Sequence, residues 1–368
     1  MGSAAATLEL REAEGAFRLI ESWLRERGFF APGGEEPVAD LYLGYGLSQT
    51  IRRGSSPAPR EPCPALPLAA CSVRPRSYPV AHDVNEVNDL ALRAWEPTWT
   101  AAEYGDAVER VRAAIALGDV YQVNVVQHLA ARVDGDVAGV AGSLAAALAP
   151  LKPLHRDPFV GVGWAVVSAS PELFLSRRGR RLWTMPIKGT RPVGHAEELR
   201  ASEKDAAEHV MIVDLERNDL SRVCEAGTVR WPELRATREL AGVEHMVSTV
   251  EGTLREGIEL AEILEATFPG GSVTGAPKIA AVDLIAELEP VGRGASMGAL
   301  GRIYGNGDFD LALTIRTFAI AEGRIHLWVG GGVVWDSDPA SEIEESWTKA
   351  RPLLDAIGST VDVPAGRR

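Results

Sequence analysis

The stretch FVGVGWAVVSAS, residues 159–170, is followed with no helical spacer by ELFLS at 172–176 and RLWTM at 181–185. Short runs rich in Val, Phe and Trp, separated by Gly, Ser, Pro and Arg, read as consecutive strands joined by turns. Working outward, AAEYGDAVERVRAAIALGD (101–119) has helical spacing and leads into a strand, YQVNVVQHLAARV (121–133). VAGVAGSLAAALAPL (137–151) reads as a helix packed on a core, too short and too rich in Ala and Gly to span a bilayer. On the other side come a long helical region (196–224), a strand VEHMVSTVEGTL (243–254), a helix from Ile258 and a helix opening with TGAPK (274–278). Three strands between Met297 and Trp335 and a last helix from Pro339 complete the pattern. Strands come in runs and helices intrude between the runs, which predicts an α+β layered protein with largely antiparallel sheets.

The first part of the chain is sparser. Residues 8–28 show helical spacing ending in a glycine, and 37–47 read as a strand with a Gly turn. Residues 55–79, rich in Pro and Arg, suit a surface crossover or loop.

The chain has 368 residues, 46% hydrophobic and 24% charged, an ordinary globular composition. Its formal net charge of −13 argues against a nucleic-acid backbone or an anionic membrane as the main partner. An anionic small molecule stays possible where local Arg, Lys or a metal reverses the field. The start lacks the apolar core of a secretory signal, so a cytoplasmic protein is expected. Cys63, Cys71 and Cys224 are odd in number and widely spaced, as expected of buried thiols rather than disulfides or a zinc site.

Only five of the 38 basic residues are lysines: Lys152, Lys188, Lys204, Lys278 and Lys349. Where arginine is the default, a lysine invites a chemical explanation, because a desolvated ammonium can lose its proton and become a nucleophile. Lys188, in TMPIKGTRP, is either such a group or part of a solvated turn. Glu208 shares a helix face with Met211, Ile212 and Leu215, so it needs a partner: an arginine such as Arg217 or Arg222, or a metal. Glu342, Glu345 and Lys349 line one flank of the last helix, which gives either a Glu345 to Lys349 pair or, together with Glu208, oxygen ligands suited to Mg²⁺. FPGGSVTGAPK (268–278) brings a Gly-rich loop to a helix start, where free N–H groups favour an anion. VGGGVVWDSD (329–338) runs three glycines through a strand, which suits close approach of a ligand or backbone.

SPELF, PIKGTRP, AEHVMIVDLERNDL, VEHMVSTVEGTL, FPGGSVTGAPK, GALGRIYGNGDFDLALTIRTF and VGGGVVWDSDPASEIEESWTKA occur in that order. Together they resemble the signature blocks of the chorismate-utilising enzymes, over a span from about Asp106 to Leu354. The resemblance implies two largely antiparallel sheets packed together and flanked by helices, the fold of anthranilate synthase component I. Residues 1–84 are then a shortened N-terminal segment of the same fold, 85–358 the chorismate-binding catalytic domain and 359–368 a disordered tail.

Within that family, anthranilate-forming members resemble this chain at PI-x-GTRP but carry alanine where Lys188 stands. The aminodeoxychorismate synthase branch carries lysine there as a covalent nucleophile. Water-adding members use a lysine at the position of Gln122. The resemblance therefore implies conversion of chorismate and ammonia to 4-amino-4-deoxychorismate in para-aminobenzoate or folate metabolism or related secondary metabolism, with ammonia delivered by a glutamine amidotransferase subunit. The alternatives are an anthranilate synthase, another chorismate-converting enzyme, or an idle scaffold for an amidotransferase.

It further implies Lys188, held neutral by burial and Mg²⁺, as the nucleophile; Glu172 as the general acid; and His245 in support near the ring. Glu208 and Glu345, with Glu342, would bind Mg²⁺. Arg316, Gly331, Gly332, Thr274, Gly275 and Lys278 would hold substrate. The family tyrosine in RG-x-Y-x-GA-x-G is Ser296 here. RLIES (18–22) resembles the tryptophan-binding element of relatives but reads as part of an amphipathic helix, so no tryptophan feedback is expected.

Overall fold

The computed structural model describes residues 6–31, 37–74, 90, 92–240 and 243–359. The expected tail, apart from Ser359, lies outside them. Two antiparallel sheets form the frame. Following hydrogen-bonded neighbours, the first runs Ala6–Leu10, Ala69–Arg74, Val38–Leu43, Ala299–Tyr304, Phe309–Leu313, Leu173–Arg178, Arg181–Met185, Val243–Thr253 and Ile187–Pro192, with Arg230–Leu240 also paired to Val243–Thr253. The second runs Gly275–Ala276, Gln122–Arg132, Arg324–Val333, Thr317–Ala321, Trp164–Ser168 and Phe159–Val160, with Glu96–Pro97 on Gln122–Arg132. The mixed α+β class and the two antiparallel sheets agree with the expectation.

Alternation along Arg324–Val333 shows how the layers are built. Ile325, Leu327 and Val329 face one way, into a cluster with Trp347, Ala350 and Leu353 of the last helix, Pro339–Ala356. Trp328 faces the other way, into the large core that also takes residues of the first sheet. The second sheet is thus covered on both faces. Trp328 stacks among His128 and His326, whose rings hydrogen-bond through Nε2 and Nδ1 at 3.0 Å. The three cysteines are free and buried, as expected. Among the described residues no helix is long and apolar enough to cross a membrane.

Several local expectations need correction. Residues 8–10 belong to the strand Ala6–Leu10, and the helix is only Ala16–Arg25. The long helical region divides at Ser202 into Ala196–Ala201 and Glu203–Ser221; the Ser202 side chain accepts from Asp205 N and caps the second helix. The TGAPK helix begins only at Lys278, because Gly275–Ala276 pairs as a short strand with Gln122–Arg132. Four strands, not three, lie between Met297 and Trp335.

Candidate functional site

Lys188 sits at a bulge. The pairing of Ile187–Pro192 with Val243–Thr253 shifts register between Lys188 and Thr190. Gly189 between them has φ +67, and a Cβ there would lie 2.5 Å from Leu199. Only glycine tolerates both the left-handed backbone and the lack of room, so the KGT sequence re-aims Lys188 out of the regular ladder. Its side chain is largely buried, and Nζ lies 2.8 Å from Glu208 Oε1. Glu208, on the Glu203–Ser221 helix, also accepts from Gln122 Nε2 at 2.9 Å. The partner of Glu208 is therefore a lysine rather than an arginine; Arg217 pairs with Asp214, and Arg222 donates to the Ala266 carbonyl.

Burial alone would lower the pKa of Lys188, but the charges of Glu208, Glu172 and Glu345 outweigh it and hold the group above the usual lysine range. Without Mg²⁺ these carboxylates therefore favour the charged amine, and the expectation of a neutral one concerns the site with the ion bound. Glu208 moves the opposite way: burial pushes it up, and the charge and hydrogen bond of Lys188 bring it below the usual value.

Glu172 immediately precedes the strand Leu173–Arg178 and is buried. Its Oε1 accepts from Ser272 Oγ at 2.8 Å and from Ile187 N at 3.4 Å. Burial raises its pKa, and Ser272, Lys188, Ile187 N and Arg316 offset this only in part. A carboxyl in this setting keeps its proton more readily than a free glutamate, the property a proton donor needs.

Arg316 lies between two strands with φ +51, a backbone state that costs a non-glycine residue about 1–2 kcal/mol. It is half-buried, and among the described residues its guanidinium makes no hydrogen bond or ion pair. Burial lowers its pKa, and Glu172 works against that shift. A strained, partly desolvated guanidinium that makes no ion pair is suited to receive an anionic ligand. His245 is buried with its Nδ1 3.2 Å from the Gly189 carbonyl; burial, and then the charge of Arg316, depress its pKa despite that contact.

The glycine triplet opens space for the carboxylates. A Cβ on Gly331 would lie 3.1 Å from Glu345 Oε1 and 3.3 Å from Glu342 Oε2. One on Gly332 would lie 1.9 Å from Gln122 Nε2 and 3.1 Å from Glu208 Oε1. Glu208, Glu342 and Glu345 thus converge on the two glycines expected to hold substrate. Lys349 pairs with Glu345 at 2.7 Å and donates to the Gly330 carbonyl at 2.9 Å. Among the described residues no group of three or more His, Cys, Asp or Glu side chains is placed to hold a metal ion. Mg²⁺ commonly takes one or two protein carboxylates and fills its octahedron with water and substrate, so Glu208 and Glu345 suit such an ion where it displaces Lys188 and Lys349 from them.

Two substrate-binding expectations change. Lys278 makes a buried ion pair with Asp219 and donates to the Thr267 carbonyl at 3.0 Å. Its charge is committed to bracing the loop instead of being offered to a ligand. The Thr274 hydroxyl turns back onto the Gly270 carbonyl at 3.0 Å. Gly275, at φ +146, has no room for a Cβ, which would lie 2.1 Å from the Gln122 carbonyl. Ser296 is fully buried with its hydroxyl facing the Thr314 carbonyl at 3.4 Å. Sequence reasoning missed Ser272 and Glu216 altogether. Ser272 lay inside the quoted glycine loop, and Glu216 stands eight residues after Glu208, a two-turn spacing that could have flagged it.

The family described as chorismate binding enzyme matches residues 60–355, and the chain belongs to that family. It is similar to anthranilate synthase component 1 of Streptomyces coelicolor, 38% identical over 319 residues, covering 84% of this chain and 59% of that one. It is also similar to aminodeoxychorismate synthase component 1 of Klebsiella aerogenes, 39% identical over 278 residues, covering 72% of this chain and 60% of that one. The chain thus spans about three fifths of the length of these curated relatives. In fold it resembles the crystal structure of anthranilate synthase component I from Streptococcus pneumoniae, with a TM-score of 0.81, 23% identity and coverage of 96% of this chain and 90% of that one.

Proposed function

We propose that this chain converts chorismate and ammonia to 4-amino-4-deoxychorismate, as an aminodeoxychorismate synthase component I. The observation that carries the reading is Lys188, at a bulge in its strand and largely buried where the charges of Glu208, Glu172 and Glu345 act on it. A lysine that only solubilised a turn would not be surrounded in this way.

In this reading Lys188 Nζ, once it has given up a proton, bonds to C2 of the ring while the bond from C4 to its hydroxyl breaks. Glu172 supplies the proton with which the hydroxyl leaves as water. Ammonia then bonds to C4 and the bond from C2 to nitrogen breaks, returning the lysine. Arg316 and the backbone at Gly331 and Gly332 take the enolpyruvyl carboxylate, for which a guanidinium fork is well shaped. Glu208 and Glu345, with Glu342, would hold Mg²⁺, which when bound supplies positive charge for the ring carboxylate and for the departing hydroxyl. His245 supports the Lys188 bulge through its contact with the Gly189 carbonyl. Ammonia would come from a glutamine amidotransferase partner, and the setting would be cytoplasmic para-aminobenzoate or folate metabolism or a related secondary pathway.

A second reading, anthranilate synthase component I, draws on the 38% identity to the Streptomyces coelicolor protein. Incubation with chorismate, Mg²⁺ and an ammonium salt, followed by chromatography of the products, separates the two. Formation of 4-amino-4-deoxychorismate supports the proposal; anthranilate as the sole product replaces it with the second reading.

A further inference from the structure

Beneath the glycine loop lies a buried acidic group that the proposed chemistry does not use. Glu216 is on the same helix as Glu208, and Asp219 lies three residues further on. Both are nearly inaccessible to solvent. Asp219 is matched by Lys278. Glu216 has no cation of its own among the described residues; its Oε1 accepts from Gly271 N at 3.0 Å. A Cβ on Gly271 would lie 2.6 Å from Leu215 and 3.1 Å from that same Oε1, so the turn rests directly on the helix. The next residue, Ser272, donates to Glu172 at 2.8 Å. One short turn, Gly271–Val273, is therefore gripped from opposite sides by two carboxyls through consecutive residues.

We propose that Glu216 is a positioning residue for Glu172: by holding Gly271 N–H it fixes the turn so that Ser272 Oγ meets the Glu172 carboxyl. The inference rests on Glu172 acting as the proton donor. A buried carboxyl is costly, and an apolar side chain would pack there at lower cost unless its acceptor oxygen had a use. Burial, then the charge of Asp219, raise Glu216 to about 8 against the charge of Lys278, which Asp219 already engages; Glu172 contributes less to the rise.

Five variants, four single and one double, test the inference on the full chain with chorismate, Mg²⁺ and ammonium salt. Glu216→Ala and Ser272→Ala should each lower kcat by about tenfold with little change in KM, and the double variant should fall no further, because both remove one linkage. Glu216→Gln keeps an oxygen for Gly271 N–H, so it should recover most of what the alanine variant loses. Glu216→Met fills nearly the same space without an acceptor, so it should fall as far as the alanine variant. A role limited to packing would instead let methionine recover the rate as glutamine does. Additive losses in the double variant, or a methionine variant as fast as the glutamine one, would overturn the inference. Should Glu216→Ala fail to fold, the Ser272→Ala, Glu216→Gln and Glu216→Met rates still decide it. A parent chain that consumes no chorismate would instead sink the functional reading on which it rests.

Discussion

Arg316 is the residue with the least to do in the protein alone. It accepts left-handed backbone strain and partial burial, yet its guanidinium makes no hydrogen bond or ion pair among the described residues. If it holds a substrate carboxylate, Arg316→Gln should raise KM for chorismate by about 10–100-fold while kcat changes less, the loss expected for one charge-assisted bidentate contact. An unchanged KM would remove Arg316 from the binding site. Lys188 illustrates what a sequence conveys at this scale and what it does not. Its rarity among so many arginines marked it as chemical, and the structure surrounds it with carboxylates. Its protonation could not be read in the same way, because three carboxylates from separate elements set it through space. Lys278 misled for a related reason: proximity in sequence to a ligand-binding loop says nothing about Asp219, 59 residues earlier, which takes its charge.

Elements with a buried face were legible, and elements without one were not. Val243–Thr253 is buried along most of its length and reads as a strand from its sequence. Its neighbour Arg230–Leu240, RWPELRATREL, exposes Trp231 and Leu234, carries a proline and among the described residues pairs on one side only, so it lacks the apolar alternation by which strands are recognised. The strand Ala6–Leu10 is half-exposed, and the pattern of the helix that follows it masked it. The RLIES segment belongs to that helix, Ala16–Arg25. Glu21 is buried there, with Oε1 accepting from Arg25 at 2.6 Å and Oε2 from Ala261 N at 2.8 Å, where it caps the start of the Leu260–Thr267 helix. A carboxylate tied to two other parts of the fold is a structural clasp. Isothermal titration with tryptophan should therefore give no heat of binding, and micromolar affinity would contradict that assignment.

Over the whole molecule, the two sheets join through a core that contains neutral, buried histidines. Burial, then the charge of His326, depress His128 to about 3; burial and the charge of Arg324 depress His326 to about 4. An unfolded histidine titrates near ~6.5. Between that value and the folded one the unfolded chain binds protons that the folded chain refuses, so each histidine lowers stability as pH falls from about 6.5, and the loss levels off only below the folded value. Thermal melts from pH 7 to 4 should show Tm dropping, with a shallower drop in a His326→Asn variant; parallel curves would show that the pair does not govern acid stability.

The same core sets the strand edge that carries Lys188 opposite the helix that carries Glu208, and the central claim is that this lysine bonds to the ring. Enzyme quenched with acid during turnover of chorismate, digested and analysed by mass spectrometry, measures it directly. The account predicts a ring adduct on the peptide containing Lys188, absent from Lys188→Ala, which should also transfer ammonia at least 100-fold more slowly. Steady turnover to 4-amino-4-deoxychorismate with no adduct, and an alanine variant as fast as the parent, would contradict it.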